Sequence, residues 1–322
     1  MQRREFIAFG GAAVWPLPAL AREPGKIYRI GWLTFSTGLP AELRNALRAL
    51  GWNEGTTAAF EVREAEGRRE RLPDLAADLV RSNVDIIIAQ APSAIRAAKQ
   101  ATTTIPIVMA FWGGPDLIQS GIIASFARPG GNVTGVHMML NALDAKRLDL
   151  LHQAVPSARR IAVLVPDSAL ANEVQLPPVR QVARERGLEL QIVDLSERGS
   201  YDGAFDAIVK AGAHALLVMD SPVFRRDRKL IIELAARKRV PTMHFSDDSA
   251  REGALIGYSS SRAELYRAAA SFVDRILRGA KPADLPVEQP TKFTLEINLK
   301  TARELGLTIP PTLLASADEV IE

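Results

Sequence analysis

Cysteine is absent from this sequence of 322 residues, and histidine is scarce, with four in the whole chain. The absence of cysteine excludes disulfides, thiolate metal ligands and Cys–His catalytic pairs. The four histidines are scattered and form no HExxH pattern, and no G-x-S-x-G, P-loop or dinucleotide-binding motif occurs. We therefore expect no enzymatic activity, no metal site and no cofactor.

Long runs of one charge are also missing. The formal net charge is +3, but lysines and arginines alternate with acidic residues, and no basic run with aromatics is present. This pattern does not favour nucleic-acid binding. A hydrophobic content of 47% with 24% charged residues is typical of a folded globular protein. The length is about twice that of a common domain, which predicts two lobes.

Residues 1–21 have the pattern of a cleaved export signal. Arg3 and Arg4 precede an uncharged stretch that closes on Ala19-Leu20-Ala21, a small-x-small cleavage pattern. The arginine pair resembles a twin-arginine signal. An ordinary amphipathic start or a membrane anchor is the alternative, but glycines and prolines interrupt the stretch, which is shorter than the roughly 20 residues of a spanning helix. We expect cleavage near Ala21, a periplasmic location and, without a cysteine to carry a lipid, no membrane anchor.

Apolar strands alternate with amphipathic helices from residue 27 onward, and the pattern restarts after a predicted Pro-Gly-Gly turn at 128–136. The segment AADLVRSNVDIIIAQAPS in the first half matches FDAIVKAGAHALLVMDSP in the second. Continuous apolar strands between amphipathic helices are typical of parallel sheets covered on both faces. The sequence therefore predicts an α/β protein with two doubly wound parallel-sheet lobes.

The C-terminal part departs from this repeat. It contains a long helix, a proline-rich segment at 282–290 and one more strand–helix pair. We expect the chain to return to lobe one before it finishes in lobe two, which gives a three-segment hinge. The predicted lobes are 27–135 plus 258–287, and 136–257 plus 288–322.

Ligands of open parallel sheets bind beyond the carboxyl ends of the strands. Six loops after predicted strands carry Ser, Thr, Asp or Asn near a helix start, where an N-cap is the alternative role for each. Six such loops facing one cleft favour ligand binding. The candidate ligand-binding residues are Phe35, Ser36, Ala91, Pro92, Ser93, Trp112, Gly113, Asp167, Ser168, Asn172, Asp220, Ser221, Phe245 and Ser246.

Three of these candidates have specific predicted roles. Trp112 and Phe245 end equivalent strands of the two halves, so they would either face an apolar or aromatic ligand across the cleft or cover the strand ends. Asp220 ends a buried strand, where an unpaired carboxylate is costly to desolvate. Either a ligand ammonium or a neighbouring arginine, Arg225 or Arg226, would pair with it.

Several segments resemble the TrpX-like family of periplasmic substrate-binding proteins of ABC transporters. They are EGRRERLPDLAADLVRSNVDIIIA, KQATTTIPIVMA, IIASFARPGGNVTGV and the ending that begins GAKPADLPVEQPTKF. The resemblance covers almost the whole mature chain and implies a type I periplasmic-binding fold that closes on a ligand. It implies a small-molecule ligand, an amino acid or another aromatic or carboxylated compound, and an ABC permease of the inner membrane as partner. A ligand sensor of the same fold, without transport, is the alternative, and we expect a monomer in either case.

The resemblance also implies which positions bind the ligand. Family members that bind aromatic amino acids hold the carboxylate on lobe-one loop amides and the amine on a lobe-two acid, which Asp220-Ser221 matches. Asp167, Ser168 and Asn172 match a polar loop of lobe two, and Gln90-Ala91-Pro92-Ser93 replaces a common Gly-Thr-Pro-Ala. The loop Gly113-Gly114-Pro115-Asp116 departs from the usual Gly-Asp-Pro.

Overall fold

The computed structural model describes residues 25–35, 38–113, 117–138, 140–167, 171–172, 175–246 and 248–322. The predicted export signal, residues 1–21, lies outside these ranges. Every helix within them is too short or too polar to cross a membrane.

The first lobe is built on a five-stranded parallel sheet with the order β2-β1-β3-β4-β5. Its strands are β1 (Tyr28–Thr34), β2 (Ala58–Glu64), β3 (Ile86–Gln90), β4 (Ile107–Trp112) and β5 (Val133–His137). The helices between them are α1 (Ala41–Ala49), α2 (Leu72–Arg81), preceded by a 3-10 turn at Arg69–Arg71, and α3 (Pro92–Ala101). Both sheet faces are buried, with α1 on one face and α2 and α3 on the other, which explains the continuous apolar strands.

The second lobe is built on a seven-stranded sheet with the order β12-β11-β10-β9-β8-β6-β7. Its strands are β6 (Arg160–Val165), β7 (Glu189–Asp194), β8 (Ala215–Val218), β9 (Thr242–His244), β10 (Ile256–Ser260), β11 (Phe293–Asn298) and β12 (Glu319–Ile321). All neighbouring strands are parallel except β10 and β11, which are antiparallel. The predicted parallel sheet therefore has one antiparallel pair, between strands at the hinge.

The helices of the second half cover both faces of this sheet, with one exception. They are α4 (Leu140–Ala154), α5 (Leu176–Arg186), α6 (Leu195–Arg198), α7 (Tyr201–Lys210), α8 (Pro222–Arg226), α9 (Arg228–Arg237), α10 (Arg262–Leu277), α11 (Leu299–Leu305) and α12 (Pro311–Leu314), with a 3-10 turn at Pro282–Asp284. The exception is α10, which packs on α1, β4 and β5 of the first lobe. Its Tyr266 and Phe272 share a core with Trp32.

The chain passes between the two sheets three times. The first crossing lies between β5 and α4, and the second between β10 and α10. The third follows Glu288, whose backbone exchanges hydrogen bonds with Gly135 and His137 beside β5, and precedes β11. The lobe limits placed by the sequence at 135/136 and 257/258 fall inside β5 and β10, slightly ahead of these crossings.

β5 and α4 differ from the sequence interpretation, which placed a turn over 128–136 and did not identify α4. Gly130 has a φ of +75° in that turn, as expected, but the strand begins at Val133 within the same segment. In α4, Asp144 and Arg147 are fully buried, and two charged residues on the inner face interrupt the apolar stripe that identifies a helix.

Candidate functional site

A cavity opens between the two lobes at the hinge. The cavity is narrow, with about 10 Å³ open to the centre of a water-sized molecule. Its lining residues among those described are Phe111, Met138, Arg225, Phe245, Ser259, Ser260, Arg262 and Leu265. Because the two lobes and the hinge strand β10 all contribute, we call this space the interlobe cavity and treat it as the candidate ligand site.

A β-bulge decides which aromatic side chain of β4 reaches the cavity. Met109 pairs with Gly135 and Trp112 with His137, so β4 carries one more residue than β5 between these pairs. The extra residue shifts the strand's alternation by one. Phe111 therefore lines the cavity, whereas Trp112 is fully buried in the core under α2 and α3. The structure thus places Trp112 away from the cavity and gives its predicted position to Phe111.

The second lobe presents Phe245 and Arg225 to the cavity. The Arg225 guanidinium lies 4.9 Å from the centroid of the Phe245 ring, a cation–π distance. Asp220 accepts two hydrogen bonds from Nη2 of Arg225, at 2.8 and 3.0 Å. Of the two partners proposed for Asp220, the structure thus shows the arginine, and Arg226 instead pairs with Asp227.

A buried ionic network holds this part of the second lobe. Arg147 donates to Asp144 at 2.6 Å, to the Tyr258 carbonyl at 2.8 Å and to the Phe245 carbonyl at 3.2 Å. The pKa of Asp144 is raised to about 6. Burial is the main cause and the charge of Asp220 adds to it, while Arg147 acts in the opposite direction. Because the network ties α4 to the ends of β9 and β10, it fixes the wall of the cavity on that side.

Two hydroxyls and one arginine of the hinge line the cavity. Ser259 and Ser260 end β10, are 4% and 3% exposed, and their hydroxyls have no hydrogen-bond partner within the described chain. Arg262 begins α10, and its guanidinium carbon lies 5.8 Å from the centroid of the Tyr266 ring. Buried hydroxyls in native proteins normally have partners, so these two are placed to bind a group in the cavity.

The start of α3 has a strained backbone. Ala91 has φ +74° and ψ 152°, a region that favours glycine, and Pro92 occupies the first helical turn. Alanine has no side chain that could cap the helix, so backbone N–H groups of the first turn are left for other acceptors. Ala91, Pro92 and Ser93 are half-buried, but they do not line the interlobe cavity.

The other predicted site residues do not converge on the cavity. Ser221 caps α8 by accepting from the Phe224 N–H at 3.1 Å, which is the alternative role considered for it. Asn172 is exposed and accepts from Arg180 at 2.6 Å, and Asp167 is exposed as well.

Three more candidates are half-buried or buried elsewhere. Phe35 packs against the core under α2 and α3, Gly113 is half-buried directly after β4, and Ser246 is 1% exposed with its hydroxyl unpartnered among the described residues. Ser36 and Ser168 lie outside the described residues, as do residues 114–116. Of the predicted set, Phe245 is the residue that lines the interlobe cavity within the described chain.

Sequence reasoning missed the contributions of the hinge. Ser259, Ser260 and Arg262 lie in the run YSSSR, where the chain leaves the second sheet for the first lobe. Three serines and an arginine after a predicted strand are the same signal that identified the other loops. This run is not among the six candidate loops because its strand belongs to the predicted hinge.

The two α/β lobes, the three crossings and a cavity between the lobes define the type I periplasmic-binding fold. A family model described as "ABC transporter substrate binding protein" matches residues 40–321, and the chain belongs to this family. The family consists of substrate-binding proteins, which are typically not enzymes.

Similar proteins are known by sequence and by structure. A tyrosine-binding protein of Clostridioides difficile (strain R20291) is 24% identical over 262 residues, which are 81% of this chain and 74% of that protein. An ABC domain from Streptococcus pneumonia in complex with L-Trp is 22% identical, with a TM-score of 0.81 over 92% of this chain and 100% of that one. A conserved domain protein from Vibrio cholerae is 23% identical, with the same TM-score and coverage.

Proposed function

We propose that this chain is a periplasmic solute-binding protein that holds a small aromatic, carboxylate-bearing molecule between its lobes and delivers it to an ABC permease. The observation that carries the proposal is the pair Phe111 and Phe245, which line one cavity from opposite lobes. Two aromatic walls suit a flat apolar ligand body. The tyrosine-binding relative and the structure with bound L-Trp support an aromatic ligand.

We also propose that the protein is exported to the periplasm and binds its ligand there. Both proposals rest on the arginine pair and the apolar stretch of residues 1–21 and on the family, whose members serve transport across a membrane. The transport partner is proposed on the same ground.

A thermal-shift screen tests the proposed ligand class. A ligand that binds only the folded state stabilises it by RT ln(1 + [L]/Kd), about 2.7 kcal/mol at a hundredfold excess over Kd. We expect aromatic carboxylic or amino acids to raise the melting temperature and sugars of similar size to leave it unchanged. If no aromatic compound in a broad panel shifts the melting temperature, the proposed ligand class is wrong.

A further inference from the structure

The charges around the interlobe cavity bear on the ligand's own charge. Arg225 and Arg262 are the charged side chains that line it within the described part of the chain. They come from opposite lobes, Arg225 from α8 and Arg262 from α10. A ligand between the lobes therefore meets a guanidinium group on each side.

Asp220 is paired with Arg225 and almost buried. Both of its oxygens accept from Nη2 of Arg225, and its side chain is 8% exposed. The Nε and Nη1 groups of Arg225 donate no hydrogen bond among the described residues, and Arg225 lines the cavity. Asp220 and the Phe245 ring thus orient Arg225 and leave most of its donors for a ligand.

The hydroxyls of the hinge complete a set of donors. Ser259 and Ser260 are buried, line the same cavity as the two arginines and have no partner within the described chain. Guanidinium and hydroxyl donors around one space are the groups that bind a carboxylate. The first turn of α3 contributes no described residue to this cavity.

We propose that the interlobe cavity binds the carboxylate of an organic anion that has no ammonium group, between Arg225 and Arg262 and against Ser259 and Ser260. An α-ammonium group lies next to its carboxylate, so it would approach both arginines, and like charges repel at this range. This inference rests on the proposed function, since it names the charge class of the ligand at the same site. It separates this chain from a binder of amino acids.

Calorimetry with two matched ligand series tests it. The aromatic series is phenylpropionate, phenylalanine and phenethylamine, and the aliphatic series is 4-methylpentanoate, leucine and 3-methylbutylamine. We expect phenylpropionate to bind at least tenfold more tightly than phenylalanine, and phenethylamine not to bind. Arg262→Gln should weaken phenylpropionate binding tenfold or more, as expected for loss of a charge-assisted hydrogen bond.

Two further variants control the result. Arg267→Gln changes an exposed arginine of the same helix and should leave the affinity unchanged. Arg225→Gln combined with Asp220→Asn removes both charges of the buried pair together, so it avoids leaving one charge unpaired, and it should also weaken anion binding. Unfolding of each variant without ligand shows whether it is folded.

The outcomes separate the inference from the proposed function. If phenylalanine binds as tightly as phenylpropionate, the inference is overturned and the aromatic ligand class stands. If 4-methylpentanoate binds more tightly than phenylpropionate, and leucine binds more weakly than 4-methylpentanoate, the aromatic class is wrong and the inference stands. Failure of both anions to bind at millimolar concentration overturns both. An equal affinity of phenylpropionate for the wild type and Arg262→Gln overturns the inference and leaves the aromatic ligand class standing.

Discussion

At the scale of single residues, the second lobe keeps several polar groups in places where burial sets their protonation. His244 is fully buried at the end of β9, and neither ring nitrogen has a hydrogen-bond partner within the described chain. Burial, together with the charges of Arg228, Arg147 and Arg225, lowers the pKa of His244 to about 3. The imidazole is therefore neutral in the folded protein at any pH near neutrality.

A buried neutral histidine makes folding sensitive to acid. Between about pH 6.5, where an unfolded histidine titrates, and the folded pKa of about 3, the unfolded chain binds a proton that the folded chain does not. The free energy of unfolding therefore falls as the pH falls through this window. Asp144 has the opposite effect, because its folded pKa of about 6 is raised and protonation favours the folded state.

We predict that His244→Met reduces the loss of stability between pH 7 and pH 4.5. The wild type should lose on the order of 2 kcal/mol more than the variant over this interval, since one pKa unit corresponds to about 1.4 kcal/mol. At pH 7 the variant should be about as stable as the wild type, because it breaks no hydrogen bond of the described chain. Urea unfolding at both pH values measures the difference, and parallel pH profiles of the two proteins would contradict the prediction.

At the scale of elements, most strands and helices followed from the alternation of apolar runs, but β5, α4 and the bulge in β4 did not. In a regular strand, successive side chains of IVMAFW point to opposite faces of the sheet. This alternation would put Trp112, not Phe111, on the face covered by α1 and α10. The bulge depends on how β4 pairs with β5, a contact that the sequence of one strand does not encode. The sequence predicted that Trp112 would either face a ligand or cover the strand end, and the structure places it in the core and Phe111 at the cavity.

Gly135 of β5 pairs with Met109 of β4 next to this bulge. Its φ is +135°, and a Cβ at this position would lie 2.3 Å from the carbonyl oxygen of Met109. We predict that Gly135→Ala destabilises the protein by about 3 kcal/mol, because the backbone conformation is strained and the methyl group has no space. Gly131→Ala, where nothing lies within 4 Å of the added methyl, should change stability by less than about 0.5 kcal/mol. Equal melting temperatures of the two variants would show that the strand pairing accommodates a side chain.

At the scale of the whole molecule, the two-lobed α/β fold could be predicted because each lobe repeats local patterns that the sequence shows directly. The interlobe cavity could be predicted only in its general position, at the carboxyl ends of the strands. Its chemistry comes from three distant segments, around Phe111, Arg225 and Ser259-Ser260-Ser261-Arg262, which the crossings bring together. The sequence left two partners open for Asp220, an ammonium group and a neighbouring arginine, and its pairing with Arg225 depends on a side-chain geometry that no spacing rule fixes.

The position of the hinge gives a direct test of lobe closure. The crossings lie beside β5 and β10, whereas β2 and β7 are the edge strands on the far side of their sheets, so the mouth of the cleft lies between the ends of these two strands. Arg69 follows β2, Glu197 follows β7, and both are exposed.

Because the chain has no cysteine, Arg69→Cys with Glu197→Cys gives one specific pair of spin-label sites. We predict that a bound ligand shortens and narrows the distribution of distances between the two labels, since closure about the hinge moves these ends most. A second pair within the first lobe, Arg69→Cys with Thr103→Cys, should give the same distances with and without ligand. If the ligand leaves the first pair unchanged while calorimetry shows it bound, the lobes do not close on it, and the prediction is wrong.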